Sequence, residues 1–208
     1  MRTKMISLFL LCLTVSSGVW AQNSNSGVIG GLNLSSMTTE GNNDKNLKAG
    51  FHIGVFDKIP VSESFAVQPE LLYSVKGMKI NYDGIAQGDT KFNLNYLELP
   101  VKLVFNLADD FDFHFGPYAG YLVNANMQTD AEVLNFYNIN SADDINRKNF
   151  HPLDFGLVGG LGFDLDPVMV GFDYSMGLAT VAKKDEKSYD LLGDAKNTVI
   201  QVYVGMKF

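Results

Sequence analysis

The chain has 208 residues, 46% hydrophobic, 12% aromatic and 19% charged, with 20 glycines and a mean hydropathy of +0.02. The apolar share is too large for a disordered chain, and 16 basic against 23 acidic residues, a net charge of −7, exclude a strongly basic nucleic-acid binder. Beyond the N-terminus no apolar run reaches the ~18 residues of a membrane-spanning helix, so the glycine and aromatic load still needs an explanation.

Residues 1–21 read as a secretory signal peptide. Arg2 and Lys4 precede the apolar run Met5 to Val15, and small side chains lead to Ala21, after which cleavage is expected. An anchor helix is the alternative, but the run is short for a span. The sole cysteine, Cys12, lies inside this segment and follows Leu11 rather than a small residue, which argues against lipoprotein processing. Residues 22–208 would then be one domain of net charge −9 with no cysteine and no disulfide.

From Val28 onward the dominant period is two, which puts successive side chains on opposite faces of a strand. Val28 to Ser35 and Ala49 to Asp57 show it weakly. Val67, Leu71, Tyr73 and Val75 oppose Gln68, Glu70, Ser74 and Lys76. Leu97, Leu99, Val101, Leu103 and Phe105 oppose Glu98, Pro100 and Lys102. Phe111, Phe113, Phe115, Ala119, Tyr121 and Val123 oppose Asp112, His114, Gly116, Tyr118 and Gly120. Leu153 to Asp164 and Val168 to Gly177 repeat the pattern, and Ile200, Val202, Val204, Met206 and Phe208 oppose Gln201, Tyr203, Gly205 and Lys207. Eight segments result. Short connections at 59–64, 106–110 and 165–167 alternate with long polar ones at 37–48, 81–90, 124–151 and 179–197. An even number of antiparallel strands with short turns at one end and long loops at the other predicts an all-β, eight-stranded, up-and-down transmembrane β-barrel.

A soluble lipocalin-type barrel would also alternate, with its apolar face inward. Two features favour lipid on the apolar face. The polar face carries Gly, Ser, Asn and Asp with few Lys and Glu, which suits a narrow filled interior. Aromatic residues collect near strand ends: Phe51, Phe56, Phe65, Tyr73, Phe92, Tyr96, Phe105, Phe111, Phe163, Tyr174 and Phe208 are expected in interfacial girdles. A closed barrel also pairs every backbone group within hydrocarbon.

With the polar face inward, the lumen would hold Glu70, Lys76, Glu98, Lys102, Asp112, His114, Asp154, Asp173 and Lys207. Buried charges must pair. Glu98 and Lys102 are too far apart along one strand, about 13 Å, so cross-strand partners are expected, with Glu70 and Lys76 nearest. A plug of ion pairs is the leading reading of this set; a narrow ion or proton path is the alternative.

His52 and His151 are candidates for lipid-modifying chemistry at the long-loop end, with Ser35, Ser36 or Asp154 as accessory groups. No G-x-S-x-G, H-E-x-x-H or P-loop is present, so no catalytic residue, metal or cofactor is assigned. His114 is expected as a satisfied interior residue. Asp143, Asp144, Asp185 and Glu186 are read as exposed loop acids, with loose divalent-cation bridging to lipopolysaccharide as the alternative.

Five blocks in order, Gly30 to Ser35, Gln68 to Ser74, Asn95 to Val101, Gly116 to Tyr121 and Phe155 to Gly162, resemble the PorT-like outer-membrane β-barrel family of Bacteroidetes. The resemblance implies a barrel with periplasmic termini. Phe208 resembles the aromatic C-terminal signal read by the barrel-assembly machinery. The implied location is the cell outer membrane, with lipid and lipopolysaccharide as surroundings. The expected role is structural or interactive at the cell envelope and non-enzymatic. Alternatives are an accessory part in type IX protein secretion, as implied by PorT, a lipid A-modifying enzyme, or a narrow passive pore.

Overall fold

The computed structural model describes residues 25–38, 45–83, 86–133, 137–141, 147–184 and 186–208; the expected signal peptide lies outside the described residues. Its strands are β1 (Asn25–Thr38), β2 (Lys45–Asn46), β3 (Lys48–Ser62), β4 (Phe65–Asp83), β5 (Ala86–Ala108), β6 (Phe111–Val133), β7 (Tyr137–Ser141), β8 (Leu153–Asp164), β9 (Val168–Gly177) and β10 (Lys196–Lys207). One short helix, α1 (Lys187–Leu192), precedes β10.

Eight of these strands close on themselves. The hydrogen-bonded order is β4-β3-β1-β10-β9-β8-β6-β5, and β5 pairs back to β4, every pairing antiparallel. Closure leaves the eight strands without an edge, which is how a sheet satisfies its backbone in hydrocarbon. The closing seam between the first and last strands runs from Gly27↔Lys207 to Thr38↔Lys196. Sequence-adjacent strands meet through Glu63–Ser64, Asp109–Asp110 and Leu165–Pro167 at one end, as the short-connection pattern predicts.

Burial assigns the faces. Outward Leu32 and Val202 are 69% and 56% exposed, whereas inward Lys76 and Lys102 are 1% and 2% exposed. A water-soluble chain would do the reverse, because burying an unpaired charge is costly while burying a Leu is favourable. Phe51, Phe163, Tyr174 and Phe208 stand outward with the aliphatic band, as girdle residues would. Three expected girdle rings do not: Phe56, Phe92 and Tyr96 are buried inside. Alternation places them on the inward face, and apolar neighbours there give them a medium as favourable as lipid.

The long connections at 81–90 and 124–151 are also corrected. Pairing between β4 and β5 continues to Asp83↔Gln87, and β5 stays paired with β6 as far as Ala86↔Val133. β7 adds to β6, and β2 adds to β4 at Lys45↔Ile80 and Asn46↔Lys79. The barrel wall therefore rises on one side into a β2-β4-β5-β6-β7 sheet. β5 has 23 residues, about twice the ~9–11 needed to cross a membrane.

Polarity inverts along this rise. Outward positions change from Leu99 and Leu97 to Asn95, Asn93 and Lys91 on β5, and to Asn124 and Asn126 on β6. Inward positions become apolar: Met78, Phe92, Leu94, Leu122, Ala125 and Met127 form one core with Phe150, Val181, Ala182, Leu192 and Ala195. A register shift at Asn95/Tyr96 marks the level of the change. Gly77 sits there with φ of 144°, a conformation that L side chains rarely adopt, and a Cβ would run into the Phe92 carbonyl.

Candidate functional site

The lumen of the barrel is the only large concentration of buried polar chemistry among the described residues, and it is built in tiers. At the short-turn rim, Lys207 Nζ lies 2.6 Å from Asp164 and 3.1 Å from Asp166, and Lys58 Nζ lies 3.2 Å from Asp164 and 3.6 Å from Asp112. Lys207 thus stands at the mouth rather than deep inside. The vestibule here has a volume of about 250 Å³ and is bordered by Lys58, Asp112 and Asp164.

One tier further in, His114 joins two carboxylates. Its Nδ1 is 2.8 Å from Asp112 Oδ1, and its Nε2 is 2.5 Å from Asp173 Oδ1. Lys102 Nζ donates to Asp173 Oδ2 at 2.7 Å and pairs with Glu70 Oε1 at 2.8 Å, while Gln68 Nε2 donates to the same Glu70 oxygen. Five strands (β3, β4, β5, β6 and β9) thereby contribute Lys58, Glu70, Lys102, Asp112, His114 and Asp173 to one continuous chain of charges. The Tyr203 ring lies 5.0 Å from Lys102 Nζ, a further favourable contact for a desolvated ammonium. Room for this tier comes from glycine. A Cβ on Gly160 would collide with Asp173 and come within 2.8 Å of His114 Nε2, and one on Gly171 would collide with the Tyr203 hydroxyl.

The third tier is neutral. Asn33 Nδ2 donates to Ser74 Oγ at 3.1 Å, His52 Nδ1 lies 2.7 Å from Asn33 Oδ1, and Gln201 Nε2 donates to that same oxygen at 3.1 Å. Beside it is a second ionic cluster. Lys76 pairs closely with Glu98, lies 3.8 Å from Asp154, and sits 4.6 Å from the Tyr118 ring centre. Asp154 Oδ2 accepts from Tyr118 and from Asn197. Above these, the apolar core described for the rising sheet closes the top, held there by Ser188 Oγ donating to the Asn149 carbonyl and by the Phe150↔Ala182 bridge.

Lys76 faces Leu94 in the ladder, and Glu98 faces Leu72, so this pair reaches diagonally across the β4–β5 seam. Lys102 faces Gln68 and contacts Glu70 in the same diagonal fashion. Asp173 comes from the far wall, where spacing along the chain carried no signal of its approach to Lys102.

The serines expected near His52 do not reach it. In the lumen His52 faces Gly31 on β1 and Ser74 on β4, its Nδ1 is engaged with Asn33 Oδ1, and Ser35 Oγ is engaged with the Lys48 carbonyl. His151 is exposed, whereas Asp154 points inward. No group of three or more His, Cys, Asp or Glu side chains suited to a metal occurs among the described residues. Asp143, Asp144 and Asp185 lie outside the described residues; Glu186 accepts from Asn149 Nδ2 at 2.9 Å.

A closed eight-stranded wall, apolar outside and ionic inside, is the geometry of a membrane-spanning barrel. A family model described as "Outer membrane protein beta-barrel domain" matches residues 20–183. The chain belongs to this outer-membrane β-barrel family. Its location is accordingly the outer membrane. Among solved structures, it is similar to the attachment invasion locus protein Ail of Yersinia pestis, crystallised with the heparin analogue sucrose octasulfate: 12% identity, 90% of this chain and 100% of that chain covered, TM-score 0.52. Neisserial surface protein A is similar to the same extent, with 12% identity, 90% and 100% coverage and a TM-score of 0.50. At these identities the likeness concerns the fold. No curated protein sequence matches the chain.

Proposed function

We propose that this outer-membrane barrel is a sealed scaffold, exported by its leader at 1–21 and folded over 22–208, that holds its rising sheet outside the cell as an interaction surface. The short turns and both strand termini then face the periplasm, and Phe208 serves as the assembly signal. The lumen charges act as a filled ionic plug that fixes strand register, with no enzymatic role. One observation carries the sealed reading. Asn33, Ser74, Lys76 and Lys102 are 0–2% exposed, whereas a water-filled channel would leave its lining accessible. Ions crossing this interior would have to displace paired charges, at a cost of several kcal/mol per ion.

Planar bilayers test this directly. Purified protein should produce no unitary conductance above the lipid baseline, and reproducible steps would contradict the sealed scaffold. A polyanion such as the one bound by Ail is not the expected ligand, because residues 22–208 carry a net charge of −9 and offer it no general attraction.

The five PorT-like sequence blocks favour a second reading, an accessory role in protein secretion. Deleting the gene would then leave exported substrates in the periplasm.

A further inference from the structure

The lipid-facing surface contains one anomaly. Among the described residues, the outward positions along the apolar band are uncharged, except Asp57. This carboxylate lies on the outward face of β3, between Val55 and Ile59, which are 49% and 42% exposed. A charged side chain in that position is destabilising unless something neutralises or solvates it.

The protein supplies only part of that. Ser26 faces Asp57 directly in the β1–β3 ladder, and its Oγ donates to Asp57 Oδ1 at 2.9 Å. Among the described residues Asp57 Oδ2 has no hydrogen-bond donor, and no Lys, Arg or His lies within ion-pair distance of Asp57. Lys58, next in sequence, points into the lumen. The second carboxylate oxygen is therefore open to a group from outside the chain, either water or a lipid headgroup.

There is space for it. Ser26, Asp57 and Glu70 border a groove of about 240 Å³ whose surface is almost wholly apolar, with walls that include Val55, Leu71, Leu99 and Phe208; Asp57 stands at its edge. The groove lies at the short-turn rim, where the Phe208 amide donates to the Ser26 carbonyl. In a membrane this is the level at which acyl chains meet headgroups.

We propose that this groove binds a phospholipid whose headgroup carries a primary ammonium. The ammonium donates to Asp57 Oδ2, and an acyl chain lies against Val55, Leu71, Leu99 and Phe208. The chemistry discriminates among lipids. An anionic glycerol headgroup would bring like charge to Asp57. A choline headgroup carries the positive charge but has no N–H to donate, so it forfeits the charge-assisted hydrogen bond.

Native mass spectrometry of the full chain folded in detergent tests the site, with phosphatidylethanolamine, phosphatidylcholine and phosphatidylglycerol titrated separately. The wild type should bind phosphatidylethanolamine at least about tenfold more tightly than the other two, and Asp57→Asn should reduce that binding by about tenfold. Ser26→Ala should fall between them. Equal binding of all three lipids, or unchanged phosphatidylethanolamine binding by Asp57→Asn, would overturn the proposal. So would a lipid-free wild type that dimerises through this face and becomes monomeric with Asp57→Asn. Gel mobility of heated and unheated samples verifies folding. If Asp57→Asn does not fold, Leu99→Trp, which fills the groove while retaining the carboxylate, carries the test: it should abolish the preference, and a retained preference would overturn the site.

Discussion

Strand β5 passes through two media and buries opposite kinds of side chain in each. From Leu97 to Phe105, Leu97, Leu99, Val101, Leu103 and Phe105 point outward and Glu98 and Lys102 point in; from Lys91 to Asn95 its polar residues point outward and Phe92 and Leu94 point in. The backbone and the alternation are the same in both halves. What differs is the solvent against the outer wall: hydrocarbon accepts Leu and rejects Asn, and water reverses the preference. Inside, the lower half must then neutralise charges with one another, whereas the upper half can use ordinary apolar packing. The difference separates two kinds of stability, one ionic and dependent on every partner, the other apolar and graded with volume.

The largest expected effect comes from breaking the ionic half. Lys102→Met leaves Glu70 and Asp173 buried without their cation and should cost about 3–5 kcal/mol, measured as the urea unfolding midpoint in phospholipid vesicles. Adding Glu70→Gln and Asp173→Asn should restore most of that loss, since the penalty belongs to unpaired charge rather than to lost volume. A single variant no less stable than wild type would mean that the Lys102 cluster contributes nothing net.

A smaller and more local effect is expected from the apolar half. Leu94→Ala removes a fully buried side chain and should cost about 2–5 kcal/mol, confined to the rising sheet. Amide exchange at 91–94 and 122–127 should accelerate while that of Gln201 and Val202 stays unchanged. Equal acceleration in both places would show that the halves fold as one unit.

Much of the lower half was legible in the sequence, because lipid outside and a cramped polar lumen inside produce a strong period-two contrast on six of the eight strands and a weaker one on β1 and β3. The expected set from Glu70 to Asp173 lies inside for that reason. Alternation reports which residues share a face, however, and not which medium that face meets. Phe92 and Tyr96, read as girdle rings, are inward residues of the upper core, and the polar stretch 81–90, read as a loop, contains paired strand. Polar outward residues beyond the band look the same in one dimension whether they belong to a loop or to a strand in water. The Lys102–Asp173 and His114–Asp173 contacts depended on barrel closure and register, which a single sequence does not specify.

The chain's one cysteine, Cys12, lies in the expected leader, so single cysteines can be introduced into residues 22–208 against a silent background. A scan of outward β5 positions in proteoliposomes with a membrane-impermeant maleimide tests the inversion most directly. Cysteines at 91, 93 and 95 should label, and those at 97, 99 and 101 should be protected and instead be quenched by lipid-phase probes when fluorophore-tagged. Labelling that continues unchanged through 97–101, or protection that extends up to 91, would contradict a change of medium at this level.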